Sequence, residues 1–427
     1  MEVLYERSAG ADVHRDSVVV TVRKREGKSD RQETRTFETY QDGLDEMCRW
    51  LLEQQVQVIG LESTGVYSMP VVRVIQRQCN ACVVWLVNPL HVKKVPGRKT
   101  DVTDSQWLSK LVMHGLVSPS FVPSAHLAEL RDVTRFRTHL VGQRTSLKNR
   151  IVRALERAGI KLASVCSDVF GATGRRILAA LLQGKSSAAQ MSDLAMTSLR
   201  KKKFELERAL AVTLSPTTLF LLRMLLTQLD ATDANLRELD GRIRLLLAPY
   251  APEVELLHSI PGLDQVSIAA LLAETGPDMS VFPTADKLSA WAGLSPGSRE
   301  SAGKAKAATL RKGDKYLRTI MVEVAAALAP RTSAKKQPLF WQRKYRQLVP
   351  RLGKLKALCA IARRILVAAY YVLRDRKPYQ PPSPQPPSPK SAKRLLDRYL
   401  SRIRELGYEA ALVPIQSIIL HPTAEVS

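Results

Sequence analysis

The signal for β-strands is confined to the first part of the chain, between residue 10 and about 120, and it vanishes between about 125 and 250. Runs of β-branched and apolar residues predict four strands, at 17–22, 35–40, 56–62 and 81–87. Apolar residues at helical spacing predict helices at 42–55, 66–78 and 102–114. Two strands followed by alternating helices and strands are typical of an α/β domain in which helices cover a mixed sheet.

The middle of the chain is predicted to form a long helical arm. Residues 126–158 and 190–247 carry apolar positions at helical spacing, and the clearest series is Leu221, Leu225, Leu229, Leu236, Leu239 and Ile243. Long amphipathic helices usually pair as a coiled coil or a bundle, so we expect a connector or a dimerisation arm. The cations of the arm also permit contacts with phosphates; they include Arg131, Arg135, Arg137, Arg144, Lys148, Arg150 and Arg153.

The last part of the chain is predicted to be mainly helical. Helices are expected at 314–329 and 354–374, after a loop at 294–313 that is rich in Gly, Ser and Lys. A proline-rich segment at 378–389 predicts a linker, and a short basic amphipathic helix is expected at 390–407. The predicted domains are therefore an α/β domain at 1–125, a coiled-coil arm at 126–250, a mainly helical domain at 251–375 and a Pro-rich linker with a basic tail at 376–427.

The charge of the chain is strongly unbalanced. Its 427 residues include 65 Lys and Arg against 40 Asp and Glu, which gives a formal net charge of +25. Such an excess is typical of proteins with a polyanionic partner, because each phosphate that is neutralised releases condensed counterions. A ribosomal or membrane-surface protein would tolerate the same charge, so the charge indicates only a class of partners.

The sequence predicts neither export nor a membrane span. Its start is charged and short of apolar residues, unlike a secretory signal, and no stretch approaches about 18 uninterrupted apolar residues. Five scattered cysteines are expected to be reduced thiols. Cys79 and Cys82 lack a second pair at metal-ligand spacing and border an apolar run, which favours buried thiols. We expect a cytoplasmic protein.

Four carboxylates lie where predicted strands or helices begin or end: Asp12, Glu62, Asp101 and Asp104. Asp101 and Asp104 are three residues apart at the start of a helix, so they project from one face. Because strand ends in α/β sheets line one edge, separate segments could deliver all four to one place. Oxygen ligands of this kind suit Mg²⁺ or Mn²⁺, and two such ions can activate an attacking oxygen and stabilise a leaving one.

Each carboxylate also has a plainer interpretation. Asp104 could cap a helix, and Asp12 could be a turn residue. Taken singly, such residues are more often structural than metal ligands. Their grouping in a basic protein is what favours a metal site, and the sequence alone leaves both interpretations open.

Two further segments could bind phosphate. Residues 261–264 (Pro-Gly-Leu-Asp) resemble the turn of a helix-hairpin-helix, which offers backbone N–H groups to a phosphate, but a plain connecting turn explains them equally well. The loop at 294–313 places three serines, including Ser298 and Ser301, among cations. This arrangement suits a phosphate-binding loop or a loop that activates a serine nucleophile. Phosphate contacts are expected of Lys304, Lys306, Arg311, Lys312, Lys315 and Arg318.

Ordered motifs between residue 8 and about 375 resemble one family, the DEDD transposases of insertion sequences. This family is related to the pilin-gene inverting recombinase Piv and includes bridge-RNA-guided recombinases. The N-terminal motifs are Gly10-Ala11-Asp12-Val13-His14, Glu62-Ser63-Thr64-Gly65-Val66-Tyr67 and Arg98-Lys99-Thr100-Asp101-Val102-Thr103-Asp104. The C-terminal motifs are Ile260-Pro261-Gly262-Leu263, Trp291-Ala292-Gly293-Leu294-Ser295-Pro296, Ser301-Ala302-Gly303-Lys304 and Arg311-Lys312-Gly313-Asp314-Lys315-Tyr316-Leu317-Arg318.

The resemblance implies a fold of the class α/β plus α. Its first part would be a mixed sheet with helices of the RNase H or RuvC type, and its last part a mainly helical transposase domain beyond the coiled-coil arm. The four implied metal ligands are Asp12, Glu62, Asp101 and Asp104.

The resemblance also implies that Ser301 is a nucleophile that forms a phosphoserine link to DNA. This chain has Ser-Ala-Gly where the family usually has Ser-Gly, so Ser298 is the alternative nucleophile. Arg98 and Lys99, which belong to the third N-terminal motif, are expected to contact nucleic acid together with the cations of the serine loop.

The function implied is that of a DNA transposase, a site-specific recombinase that works by phosphoryl transfer. The expected partners are the DNA of element ends and target, a structured bridge RNA and further copies of the chain in a homodimer or homotetramer, without a membrane. The first alternative is a metal-dependent, structure-specific nuclease such as a Holliday-junction resolvase. The second is a nucleic-acid-binding scaffold without catalysis, in which the carboxylates only cap helices.

Overall fold

The computed structural model describes residues 3–27, 29–62, 65, 67–87, 92, 104–117, 119–184, 186–296, 300–301, 304–305, 313–329, 340–382 and 389–410. The chain divides into two compact units, Met1–Tyr379 and Gln380–Ser427. In the part of the chain that the structure describes, no helix is both long and apolar enough to cross a membrane.

The first unit begins with a five-stranded mixed sheet. Strands β1 to β5 span Arg7–Val13, Ser17–Glu26, Ser29–Glu38, Val58–Glu62 and Val83–Val87. Their order in the sheet is β3-β2-β1-β4-β5. The first three strands are antiparallel neighbours, whereas β4 runs parallel to both β1 and β5. With its helices, this sheet has the RNase H-like arrangement that was predicted.

The sheet has one strand more than the four predicted. The predicted strands overlap β2 to β5, but β1 was missed, and Asp12 was placed before the first strand instead of inside it. The sequence of β1, Arg-Ser-Ala-Gly-Ala-Asp-Val, has no run of β-branched residues. Its residues are small because a helix packs directly against the strand.

Helices cover both faces of the sheet; α1, α2 and α3 span Gln41–Glu53, Ser68–Gln78 and Asp104–Met113. Alternate residues of β1, such as Ala9 and Ala11, join the core that contains the buried side chains of α1 and α2. Gly10 faces α3 instead. A Cβ on Gly10 would lie 2.3 Å from the carbonyl oxygen of Ser105 and 2.4 Å from the nitrogen of Ser109. Only glycine therefore allows α3 to lie this close to β1.

The helical arm is an antiparallel pair of long helices, α4 (Ala125–Arg157) and α9 (Pro216–Leu247). Shorter helices α5 to α8 connect them and pack as a separate core; they span Leu162–Val165, Ala172–Gln183, Ala188–Asp193 and Lys203–Leu210. Residues 190–247, which carry the predicted helical spacing, form the end of α7, then α8 and α9, and not one continuous helix. Ser215 caps α9 by accepting a hydrogen bond from Thr218 N, and Pro216 fills its first position, so the long helix begins there.

The rest of the first unit is mainly helical, as predicted. Helices α10 to α15 span Ala251–His258, Gln265–Thr275, Ala285–Trp291, Lys315–Leu328, Phe340–Leu352 and Lys354–Asp375. A hairpin of two short strands, β6 (Glu300–Ser301) and β7 (Lys304–Ala305), lies between α12 and α13 in the sequence. These helices share one core with Leu127 and Leu130 of α4, so the arm is continuous with them.

The second unit contains helix α16, Pro389–Glu405, which overlaps the amphipathic helix predicted at 390–407. The first unit continues to Tyr379, whose backbone N–H donates to Ser259 Oγ at 2.7 Å. The division into four domains stays a prediction.

We predict that Gly10→Ala destabilises the protein by about 1–3 kcal/mol, because the new methyl group forces α3 away from β1. Urea denaturation followed by circular dichroism measures the effect. Gly142→Ala is the matched control, since Gly142 lies in α4 with no atom within 4 Å of an added Cβ. That control should be neutral or slightly stabilising. Equal unfolding midpoints for Gly10→Ala and the wild type would contradict the close packing of α3.

Candidate active site

Asp12 and Glu62 lie side by side at one edge of the sheet. Strands β1 and β4 are parallel and place Ala11 opposite Leu61. The next residue of each strand is the carboxylate, Asp12 in β1 and Glu62 in β4. Two carboxylates that are 50 positions apart in the sequence are thus neighbours in the register of the sheet.

Helix α3 covers the face of the sheet to which Asp12 and Glu62 belong. Because side chains alternate along a strand, Asp12 lies on the face of Gly10, and Glu62 on the face of Gly60. Both glycines contact α3, and a Cβ on Gly60 would lie 2.6 Å from Cγ2 of Val112.

Asp104 begins α3 at the same edge of the sheet. The helix runs antiparallel to β1, because Ser105 lies against Gly10 while the carbonyl oxygen of Met113 accepts a hydrogen bond from Leu4 N at 2.9 Å. The first residue of α3 therefore lies toward the end of β1 that carries Asp12. Three of the four predicted carboxylates belong to one edge and one face.

Asp101, the fourth predicted ligand, lies outside the described residues. Among the residues that the structure does describe, no group of three His, Cys, Asp or Glu side chains is placed to hold a metal ion. Asp12 is partly exposed, and its Oδ2 lies 3.1 Å from Nε2 of His14. Carboxylate oxygens at one edge have the chemistry that Mg²⁺ or Mn²⁺ requires, and the four-ligand site stays a prediction.

Ser301 lies in a hairpin within the segment that was predicted to be a loop. It pairs with Lys304 across the antiparallel strands β6 and β7, while Glu300 pairs with Ala305. This pairing sets the backbone of the predicted nucleophile directly opposite a lysine. Ser298 lies outside the described residues, and the choice between the two serines stays a prediction.

The segment that carries Ser301 begins and ends at the same point of the fold. Asp314 N donates a hydrogen bond to the carbonyl oxygen of Trp291 at 2.9 Å. A Cβ on Gly313 would lie 2.3 Å from the nitrogen of Gly293, so the two ends touch. Asp314 also caps α13, because its Oδ1 accepts from Leu317 N at 2.7 Å. The end of α12 and the start of α13 thereby hold the segment at its base.

Some of the predicted phosphate-binding residues can be located. Lys315 is exposed and Arg318 is half-buried in the first turn of α13. Lys304 belongs to β7. The remaining ones lie outside the described residues; they are Arg98, Lys99, Lys306, Arg311 and Lys312.

The turn at 261–264 is a helix connection closed by its own side chains. Asp264 Oδ1 accepts a hydrogen bond from Ser267 N at 2.8 Å, and Ser267 Oγ accepts one from Asp264 N at 2.8 Å. This capping box satisfies backbone donors that a phosphate would otherwise use. The geometry favours the plain turn over a helix-hairpin-helix phosphate site.

A buried ion cluster joins the arm to the C-terminal helices. Glu274 of α11 is only 2% exposed and receives a forked pair of hydrogen bonds from Arg135 of α4, at 2.7 and 2.8 Å. Arg131 lies 3.2 Å from the same carboxylate and donates to the carbonyl oxygens of Ala273 and Glu274 at 2.9 Å. Arg135 also lies 3.4 Å from Asp314 at the base of the serine segment. Burial raises the pKa of Glu274, and the two guanidinium groups oppose that rise.

The cluster was not predicted from the sequence, which indicated only that these arginines permit contacts with phosphates. Arg137 and Arg144 are also engaged within the protein, with Asp240 and Asp233, both at 2.6 Å. Each partner lies about 90 or more residues away, so no local sequence signal could have identified it. Cys79 and Cys82, by contrast, are buried as predicted, and burial raises the pKa of Cys82 to about 12.

Two family models match this chain. The DEDD transposase model of the IS110 type, described as "Transposase", matches residues 9–160, which contain all four predicted metal ligands. The model described as "Transposase IS116/IS110/IS902 family" matches residues 254–342, which contain Ser301. The chain belongs to this transposase family. The family predicted from the motifs is thereby confirmed.

Curated relatives support the same family. A "Probable family 20 transposase" from Pseudomonas aeruginosa is 26% identical over 57% of this chain and 64% of its own length. The "Insertion element IS900 uncharacterized 42 kDa protein" from Mycobacterium paratuberculosis is 31% identical over 36% of each chain. The chain thus spans less than two thirds of the length of these relatives.

In this IS110-type transposase, we predict that Glu274→Gln destabilises the fold by about 3 kcal/mol. The substitution leaves Arg131 and Arg135 partly buried without their counter-charge, which is the costly way to break a buried ion pair. Equilibrium urea denaturation measures the loss. The control is Glu129→Gln, because Glu129 is 62% exposed and lies 3.6 Å from Arg242. That change should alter stability by less than about 0.5 kcal/mol. Similar losses in both variants would refute the special role of Glu274.

Proposed function

We propose that this chain is a transposase that moves its insertion element by cutting and rejoining DNA. Family membership supports a DNA substrate and phosphoryl transfer. The observation that carries the proposal is the register that sets Asp12 beside Glu62, beneath the helix that begins with Asp104. The net charge of +25 suits a nucleic-acid substrate.

The carboxylates of the sheet edge would hold a divalent metal ion, Mg²⁺ or Mn²⁺. Asp12, Glu62 and Asp104 would supply oxygen ligands, and Asp101 would complete the set. Bound there, the ion would supply Lewis-acid stabilisation of negative charge on phosphate oxygens. His14, which lies 3.1 Å from Asp12, would orient that carboxylate.

Ser301 would be the nucleophile. Its Oγ attacks the phosphorus of a DNA phosphodiester, a bond from Oγ to phosphorus forms, and the bond from phosphorus to the 3′ oxygen breaks. The serine hydroxyl loses its proton and the departing 3′ oxygen gains one. The 3′ hydroxyl of a partner strand then attacks the phosphoserine, which rejoins DNA and restores Ser301. Lys304, whose backbone pairs with that of Ser301, would supply a positive charge for the reacting phosphate.

A structured bridge RNA would choose the element ends and the target. This part of the proposal depends on the family resemblance, and the charge of the chain is suited to RNA as well as to DNA. The carboxylates and Ser301 are far apart in sequence, so two or four copies of the chain could combine them across subunits. The long antiparallel arm of α4 and α9 is a suitable element for such an assembly.

We predict that Ser301→Ala abolishes the covalent protein–DNA adduct and strand exchange while DNA binding persists. The reason is that alanine has no oxygen to bond to phosphorus. Denaturing gel electrophoresis of the protein with labelled element-end DNA measures the adduct. Ser295→Ala is the control from the same segment and should retain the adduct, and Ser298→Ala tests the alternative nucleophile. Undiminished DNA cutting by Ser301→Ala would favour the metal-dependent nuclease instead.

We predict that Asp12→Asn lowers the rate of strand cleavage by about 100-fold or more, since it removes a charged oxygen ligand at the sheet edge. Chelation with EDTA should have a similar effect, and Mg²⁺ should reverse it. Asp16→Asn is the control, because Asp16 is 84% exposed and lies only a few residues further along the chain. Full cleavage by both Asp12→Asn and Ser301→Ala would contradict both proposed catalytic sites, whereas a wild-type protein that binds DNA without cleaving it would favour the non-catalytic scaffold.

A further inference from the structure

Helix α14 and the start of α15 carry cations without any acidic residue. Between Phe340 and Arg374 the sequence contains nine Lys and Arg and no Asp or Glu. Six of them follow one another around Gly353, which separates the two helices and has a φ of +76°. We name this group the basic surface; it consists of Arg343, Lys344, Arg346, Arg351, Lys354 and Lys356.

The amphipathic character of α14 turns these cations outward. Trp341 and Tyr345 are buried in the core of the C-terminal helices. Arg343 and Arg346 lie on the opposite side of the helix and are exposed, as are Lys354 and Lys356 at the start of α15. The apolar side of α14 therefore fixes the helix while its charged side faces solvent.

The cations of the basic surface differ from Arg137 and Arg144 of the arm. On α4, Arg137 and Arg144 each lie 2.6 Å from an aspartate of α9. None of the six residues of the basic surface forms an ion pair with any residue that the structure describes. Like charges so close in sequence repel one another, and salt screens this repulsion only beyond about 8–10 Å. A polyanion would relieve the repulsion that the fold leaves uncompensated.

The basic surface offers charge but no stacking platform. Proteins that bind single-stranded nucleic acid usually stack the bases on exposed aromatic rings. In α14 the aromatic side chains of Trp341 and Tyr345 are turned into the core, and their exposed fractions are 4% and 9%. The third aromatic residue, Phe340, packs partly buried against the same core, and Lys344 Nζ lies 5.7 Å from its ring centroid. A surface of this kind matches the phosphate backbone of a duplex, which requires cations and no contact with unstacked bases.

We propose that the basic surface binds the phosphate backbone of duplex DNA. The choice of DNA rests on the proposed function, in which DNA is the substrate. The surface lies beyond residue 342, where the second family match ends, and none of its residues belongs to the carboxylate edge or to the serine hairpin. It would hold a DNA flank through charge alone and would not read its sequence.

Substitution of three neighbouring cations tests the proposal. The variant Arg343→Gln, Lys344→Gln, Arg346→Gln should bind duplex DNA about tenfold or more weakly, measured by fluorescence anisotropy over a range of salt concentrations. A plot of the logarithm of the association constant against the logarithm of the salt concentration should become less steep. Its slope should decrease in magnitude by about 0.9 for each phosphate that the variant no longer neutralises. The pair Lys354→Gln, Lys356→Gln should reduce affinity and slope in the same direction. Circular dichroism and the urea midpoint establish that both variants fold.

The control removes three charges elsewhere. Arg176, Lys201 and Arg223 are exposed cations on the helical arm, and the triple change to Gln lowers the net charge by the same amount. If this control weakens DNA binding as much as the first variant, total charge explains the effect and the proposal is overturned. The proposal is likewise overturned if the basic-surface variants lose affinity for duplex RNA but not for duplex DNA. All proteins carry Ser301→Ala and are measured in EDTA, so neither the serine nor a metal ion cleaves the DNA, and the result stands whether or not Ser301 is the nucleophile.

Discussion

The fold depends on one buried carboxylate that holds two arginines from a distant helix. Glu274 belongs to the region matched by the second family model, whereas Arg131 and Arg135 belong to the region matched by the first. Residues 161–253, which form most of the arm, separate these regions in sequence. The cluster therefore joins the two family-matched regions of the chain, and a buried carboxylate stays compatible with the core only while both guanidinium groups neutralise it.

The cluster also bears on the candidate chemistry, because Arg135 reaches Asp314 as well as Glu274. Asp314 caps α13 and contacts Trp291, so it lies at the base of the segment that carries Ser301. The long helix α4 thus touches the serine segment at one point, and it begins shortly after the sheet that carries the carboxylates. Helix α4 therefore links the region that follows the carboxylate sheet to the base of the serine segment.

The sequence predicted the features that depend on local residue patterns. Period-2 and period-3.6 patterns predicted the sheet, the arm and the helical C-terminal part, and strand ends predicted Glu62 at the sheet edge. The strand β1 could not be predicted from β-propensity, because its residues are small. Small residues are required there by the close approach of α3. The partners of Arg131 and Arg135 were equally hidden, since pairing over more than 100 residues depends on tertiary packing. The parallel register of Asp12 and Glu62 likewise required the sheet itself.

The distribution of paired and unpaired cations separates structural from functional charge. A net charge of +25 says little about where an anion binds, because many arginines are engaged with internal partners. On α4, Arg137 and Arg144 are neutralised within the fold, so the arm presents less free positive charge than its sequence indicates. On α14 and the start of α15 no described acid neutralises the cations. A polyanion gains most where its charge replaces mobile counterions instead of competing with an existing carboxylate, so Arg137 and Arg144 are poorer phosphate contacts than the cations of the basic surface.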